Sequence, residues 1–172
     1  MHAATASPDD VPAPELVAQI QRVLDRVAVE LFAAYDLPVA PAIAAATPPA
    51  QPAAAVIAFT GDLAGELRLT APPAVLAATC PGGAPLDWLC ELVNQLVGRL
   101  KNELWPSGIT IRLTAPTTEA GDATAATPLI YASAHGAIAA WLRFVAAPGV
   151  CWRDARATQR LRVAYEGDVL FF

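Results

Sequence analysis

Two stretches of the chain, residues 14–37 (PELVAQIQRVLDRVAVELFAAYDL) and 86–104 (LDWLCELVNQLVGRLKNEL), repeat apolar residues at intervals of three and four. That is the period of an α-helix buried along one side. In the first, Leu16, Ile20, Val23, Leu24, Val27, Leu31 and Phe32 share a face. Pro14 suits the first turn, and Pro38 stops the helix. Elsewhere the pattern is that of strands. Residues 54–60 and 64–70 flank Gly61-Asp62, a hairpin signal. GITIRLTAP (108–116) alternates, and PLIYASA and AIAAWLRFVA form a second hairpin around His135-Gly136. PPAVLAATC (72–80) reads as a short helix, TTEAGDATAAT (117–127) as a loop, and QRLRVAYEGDVLFF at the end as a strand or strand pair. Strands in neighbouring pairs, with helices between the pairs, predict an α+β fold: an antiparallel β-sheet with long helices packed on one face.

The chain has 172 residues, enough for one domain with a real core. Residues 1–13 read as a flexible tail and 14–172 as the single domain. Residues 38–52 (PVAPAIAAATPPAQP) read as a Pro/Ala connector. Hydrophobic residues are 55% of the total, which excludes a disordered chain. No apolar run approaches about 20 residues, so no membrane span is expected. The start lacks a basic segment followed by an apolar block, so no secretory signal is expected and the compartment reads as cytoplasmic. A net charge of −5 with 11 basic residues argues against nucleic acid. Cys80, Cys90 and Cys151 have no CxxC spacing, and His2 and His135 are the only histidines. A metal site is therefore not expected, and the cysteines read as buried or half-buried thiols. His135 reads as a turn residue, and no serine has a GxSxG context.

Chemistry concentrates on the second long helix. At about 100° per residue, Leu86, Leu89, Cys90, Val93, Leu96, Val97, Leu100 and Leu104 fall in one arc of roughly 120°, the expected core face. A second arc of roughly 80° holds Asp87, Glu91, Asn94, Gly98 and Lys101, spaced by four, three, four and three. Glycine costs about 1 kcal/mol relative to alanine in a helix, so Gly98 needs a reason. One reason is to keep the stripe low, so that another surface can approach the backbone. A carboxylate can grip a cation, and an amide can hold a water through one donor and one acceptor. The plainer reading of the stripe is a solvated helix face.

CELVNQLVGRLKNEL followed by GITIRLTAPTTEAG resembles the signature of the CheX/CheC family of chemotaxis phosphatases. That signature is an Asp or Ser, three residues, Glu, two residues, Asn, and a proline about one strand later. Here the matching positions are Asp87, Glu91, Asn94 and Pro116. Gly98, Arg99, Lys101, the LTAPT at 113–117 and the hairpin before the helix are also similar to the family. The first helix carries an echo, ELVAQI, with Ala18 where an asparagine would stand, so one active face is expected. The resemblance implies a hydrolase acting on a phosphorylated CheY-like response-regulator receiver, which supplies the phospho-aspartate and its Mg²⁺. The phosphatase needs no cofactor of its own. Asn94 would orient the attacking water, and Glu91 would pair with the receiver's phosphate-binding lysine. Asp87, Gly98 and Lys101 would belong to the docking face. The resemblance also implies a homodimer, with the apolar end DVLFF as a candidate pairing edge. Two other readings stay open: a receiver-binding module without hydrolysis, and an oligomeric assembly protein of the same fold.

Overall fold

A computed structural model describes residues 12–42, 53–119 and 127–153. The final strand expected at 159–172, with DVLFF, lies outside them, as do the tail to residue 11 and most of the connector. Helix α1 (Pro14–Ala33) is followed by β1 (Ala40–Ala42), β2 (Ala54–Gly61), β3 (Leu63–Thr70) and α2 (Pro73–Thr79). Then come α3 (Pro85–Leu104), a 3₁₀ turn (Trp105–Ser107), β4 (Ile111–Leu113), β5 (Thr117–Glu119), β6 (Leu129–Ser133) and β7 (Gly136–Ala146). The fold is α+β, with an antiparallel sheet and the two long helices laid on one face of it.

The sheet order is β1-β6-β7-β3-β2-β4, with β5 also on β2. Both expected hairpins form, in register Ala58↔Glu66 and Tyr131↔Ile138. His135 sits exposed at the second hairpin's tip. β3 and β7 approach so closely that a Cβ on Gly65 would lie 2.0 Å from the Arg143 carbonyl oxygen. The core lies between sheet and helices. Ile57, Phe59, Leu67, Leu69, Tyr131 and Ile138 point up from the strands, and Leu24, Leu31, Phe32, Leu92, Leu96 and Leu100 point down from α1 and α3.

Pro14 occupies the first turn of α1, as expected. The helix closes before Pro38: Leu37 N–H reaches Phe32 O (3.1 Å), Asp36 N–H reaches Ala33 O (3.1 Å), and Asp36 takes a left-handed φ of 57°. This is a Schellman-type end, with buried Leu37 supplying its apolar contact. It leaves Tyr35 at the helix end, facing α3.

Four expectations are corrected. Residues 40–42 pair with β6 as a strand inside the expected connector, and 117–119 form β5 rather than a loop. Leu86 is 46% exposed, on an apolar cleft of about 430 Å³ beside α2, whereas Leu92 is fully buried. The core arc of α3 is therefore rotated away from Cys90 and toward α1, because the helix packs on two neighbours, the sheet and α1. Cys80 and Cys90 are half-buried as expected, but Cys151 is exposed in the turn after β7.

β4 and β5 form one interrupted edge on β2, pairing with its two ends (Phe59–Gly61 and Ala54–Val56). Pro116 lies in the interruption, where no ladder donor is needed. The first hairpin tip is tied to this edge by Asp62. Its Oδ2 accepts from the Thr110 hydroxyl (2.6 Å) and the Thr110 N–H (2.7 Å). These bonds hold the Asp62 carboxyl below the usual carboxylate range. A lowered folded pKa stabilises the fold at pH above about 4 and loses that contribution as pH falls through the folded value. Thr110→Val should raise the Asp62 titration toward the ordinary range and shrink the stability difference between neutral and acid pH. An NMR titration with melts at both pH values checks this.

Candidate functional site

The stripe on α3 is real as geometry. Asp87, Glu91, Asn94 and Lys101 are exposed, and Gly98 is half-buried, so the five positions run as one open strip along the helix. α3 is packed against the core underneath. Leu89, Leu92, Val93, Leu96, Val97, Leu100 and Leu104 are buried on its other side. Pro85 opens the first turn, and Asp87 there lies near the positive end of the helix dipole, with Lys101 in the last turn near the negative end.

Asn94 is exposed, and among the described residues its side chain has no hydrogen-bond partner. Its amide donor and acceptor are both open to an incoming group. Glu91 is partly engaged: its Oε1 accepts from Gln95 Nε2 at 2.7 Å, leaving Oε2 open. Three residues separate Glu91 from Asn94, so both project from adjacent positions on the same strip. Burial raises the neighbouring Cys90 thiol, and the charge of Asp87 adds to that. Cys90 is thus a poor nucleophile and belongs to the packing beside the stripe.

An ideal Cβ placed on Gly98 meets nothing within 4 Å. No neighbouring strand or helix among the described residues needs the glycine. Its effect is confined to the outside, where it leaves a notch between Asn94 and Lys101.

Sequence reasoning did not single out the end of the strip. At about 100° per residue, Trp105 lies on the line of Asp87. It is 68% exposed, while Trp88 is half-buried and Trp141 is buried. Trp105, Lys101, Asp62, Thr110 and Arg112 line a polar cleft of about 550 Å³ where the strip meets β4. The signal for Trp105 was present in the helical spacing, but it falls just past the last helical residue. Among the described residues, no three His, Cys, Asp or Glu side chains gather closely enough to hold a metal ion, and no helix is long and apolar enough to cross a membrane.

No protein-family model matches the chain. No curated protein matches it either. Solved structures do. Chemotaxis protein CheX from Vibrio vulnificus superposes with a TM-score of 0.59 at 18% identity, covering 78% of this chain and 99% of that one. A CheC-like superfamily protein from Shewanella sp. PV-4 superposes with a TM-score of 0.57 at 16% identity, covering 77% and 99%. The fold is CheX/CheC-like. A chemotactic CheC-like protein from Shewanella oneidensis MR-1 agrees, with a TM-score of 0.54 at 17% identity over 75% and 97% of the two chains. At such identities the likeness speaks for the fold, and the chemistry of this CheX/CheC-like chain rests on its own residues.

Proposed function

We propose that the protein is a cytoplasmic phosphatase that removes the phosphoryl group from the phospho-aspartate of a CheY-like response-regulator receiver, in chemotaxis or a related two-component circuit. The observation that carries the reading is the exposed pair Glu91 and Asn94 on one strip of a helix whose other side is buried, in a CheX/CheC-like fold. Phosphoryl transfer asks a protein mainly for positioning and charge stabilisation. A water attacks phosphorus in line with the aspartyl oxygen. The new bond is water oxygen to phosphorus; the bond from phosphorus to the aspartyl oxygen breaks, the aspartate leaves as a carboxylate, and the water's two protons go with the phosphate released as dihydrogen phosphate. A Mg²⁺ held by the receiver would supply charge stabilisation at the phosphoryl oxygens. Asn94 holds the water through its amide without adding negative charge beside an anion. Glu91 Oε2 is available to a lysine of the receiver, and Asp87, Gly98 and Lys101 complete the docking face.

The deciding experiment mixes the purified protein with a panel of Mg²⁺-loaded, phosphorylated receivers and follows phosphate loss. Faster loss from at least one receiver supports the phosphatase reading. Capture of a receiver with its phosphate intact replaces it with a binding module. Oligomers that ignore receivers replace it with an assembly role. A homodimer belongs to the same proposal, and sedimentation showing only monomer at high concentration removes that part alone.

Gly98 gives a separate check. Gly98→Ala should stabilise α3 by about 1 kcal/mol, and Gly98→Leu should fold normally because the site is open. The leucine fills the notch and should weaken receiver binding at least tenfold. Normal melting with unchanged binding for Gly98→Leu would remove the notch from the docking face.

A further inference from the structure

Glu91 does not stand alone on its strip. Gln95 donates from Nε2 to Glu91 Oε1 (2.7 Å), and Gln95 Oε1 accepts from the Tyr35 hydroxyl (2.9 Å). Tyr35 sits in the closing turn of α1, and its ring meets Trp88 edge-on, with centroids 5.1 Å apart and planes at 89°. Trp88 in turn donates from Nε1 to Thr79 Oγ1 (2.9 Å), and Thr79 donates to the Val75 carbonyl of α2 (2.9 Å). Three helices thus contribute to a chain of contacts that ends on one carboxylate oxygen.

The chain has a fixed direction. An ionised Glu91 only accepts, so Gln95 must turn its NH₂ toward it. The Gln95 carbonyl then faces Tyr35, whose hydroxyl must donate. The flipped amide would set an oxygen against the carboxylate. One arrangement satisfies every group, and the bond to the anion is of the stronger, charge-assisted kind.

We propose that Gln95 and Tyr35 are positioning residues that hold the Glu91 carboxylate in place, so that Oε2 meets a cationic group of the receiver without first being ordered. The functional part of this rests on the receiver-phosphatase reading; the lock itself does not. A charged side chain as flexible as Glu is costly to immobilise on binding, and locking it beforehand strengthens binding by about two- to tenfold.

Two variants test the lock. Tyr35→Phe removes the hydroxyl and keeps the ring on Trp88. Gln95→Met keeps the length and removes both amide groups. In the free protein, the carboxyl ¹³C signal of Glu91 should move in Tyr35→Phe while those of Asp87 and Glu103 stay. An unmoved Glu91 signal overturns the proposal, since Tyr35 reaches Glu91 only through Gln95. With the receiver domain that the wild-type protein dephosphorylates, both variants should raise KM about two- to tenfold at unchanged kcat, because Asn94 is untouched. In a Glu91→Ala background, Gln95→Met should add no further loss. An equal loss in that background means that Gln95 acts on the receiver directly and overturns the proposal. If the wild-type protein dephosphorylates no receiver, the functional reading fails, while the carboxyl signal still decides whether the lock exists.

Discussion

Asn94→Ala should slow receiver dephosphorylation about a hundredfold or more at saturating receiver, with binding close to wild type. The scale follows from what misplacing a reacting water does to an in-line displacement, where an ångström is worth about two orders of magnitude. The fold should not suffer. Asn94 is exposed and, among the described residues, its side chain has no partner to lose. Alanine is the better helix former by several tenths of a kcal/mol, up to about 0.7, so the variant should melt at the same temperature or slightly higher. That separates lost chemistry from lost structure. Single-turnover phosphate release, with protein in excess over phosphorylated receiver, measures the step directly. A rate within a factor of two of wild type would remove Asn94 from the water-positioning role. A proportional fall in affinity with an unchanged maximal rate would make it a docking residue instead.

The elements with strong periods were legible in the sequence. α1 and α3 each carry some five turns of amphipathic spacing, and both hairpins carry alternation around a glycine-containing tip. β1 was not legible, because Ala40-Pro41-Ala42 has neither alternation nor β-branched residues. It is a strand only through its partner β6. β5 has the sequence of a loop, because Thr117-Thr118-Glu119 is short and polar, and its pairing to β2 is a property of the edge it lands on. The Leu86 and Leu92 corrections share one cause. A helical wheel assumes one buried side, whereas α3 has two neighbours at an angle, and its buried arc shifts toward α1.

The strip was legible because its five residues lie in one helix at fixed spacing. The support of Glu91 was not, since Tyr35 and Gln95 are 60 residues apart and meet only when α1 packs on α3. The glycine question needed both levels. A glycine in a helix can serve close internal packing or a low outer surface, and helical spacing alone does not choose between the two. The empty space around its Cβ position removes the first among the described residues.

Glu91→Ala should weaken receiver binding by roughly a hundredfold to a few thousandfold and slow the reaction as well. In the free protein the carboxylate is exposed, so its loss leaves nothing buried and uncompensated. Among the described residues it gives up one bond, to Gln95 four residues on, of a kind worth about 0.2–0.5 kcal/mol in a helix. Melting should therefore stay close to wild type. The large effect arises in the complex. On the proposed reading, docking would seal the strip from water, and a receiver lysine left facing alanine would then be a desolvated charge without its partner, at about 3–5 kcal/mol. At about 1.4 kcal/mol per decade this gives the range stated. On the same reading the rate should fall too, since that lysine would bind the phosphoryl group and would lose its fixed place. Glu91→Gln separates charge from shape: it keeps an acceptor but no charge, so it should fall between wild type and alanine. Titration calorimetry with a receiver carrying beryllofluoride, a non-hydrolysable stand-in for the phosphoryl group, repeated at low and high salt, reads the charge directly. The wild-type affinity should drop with salt more steeply than that of either variant. Equal salt slopes and equal affinities for all three would make Glu91 an ordinary solvated residue, and would leave Asn94 to act without an ionic anchor beside it.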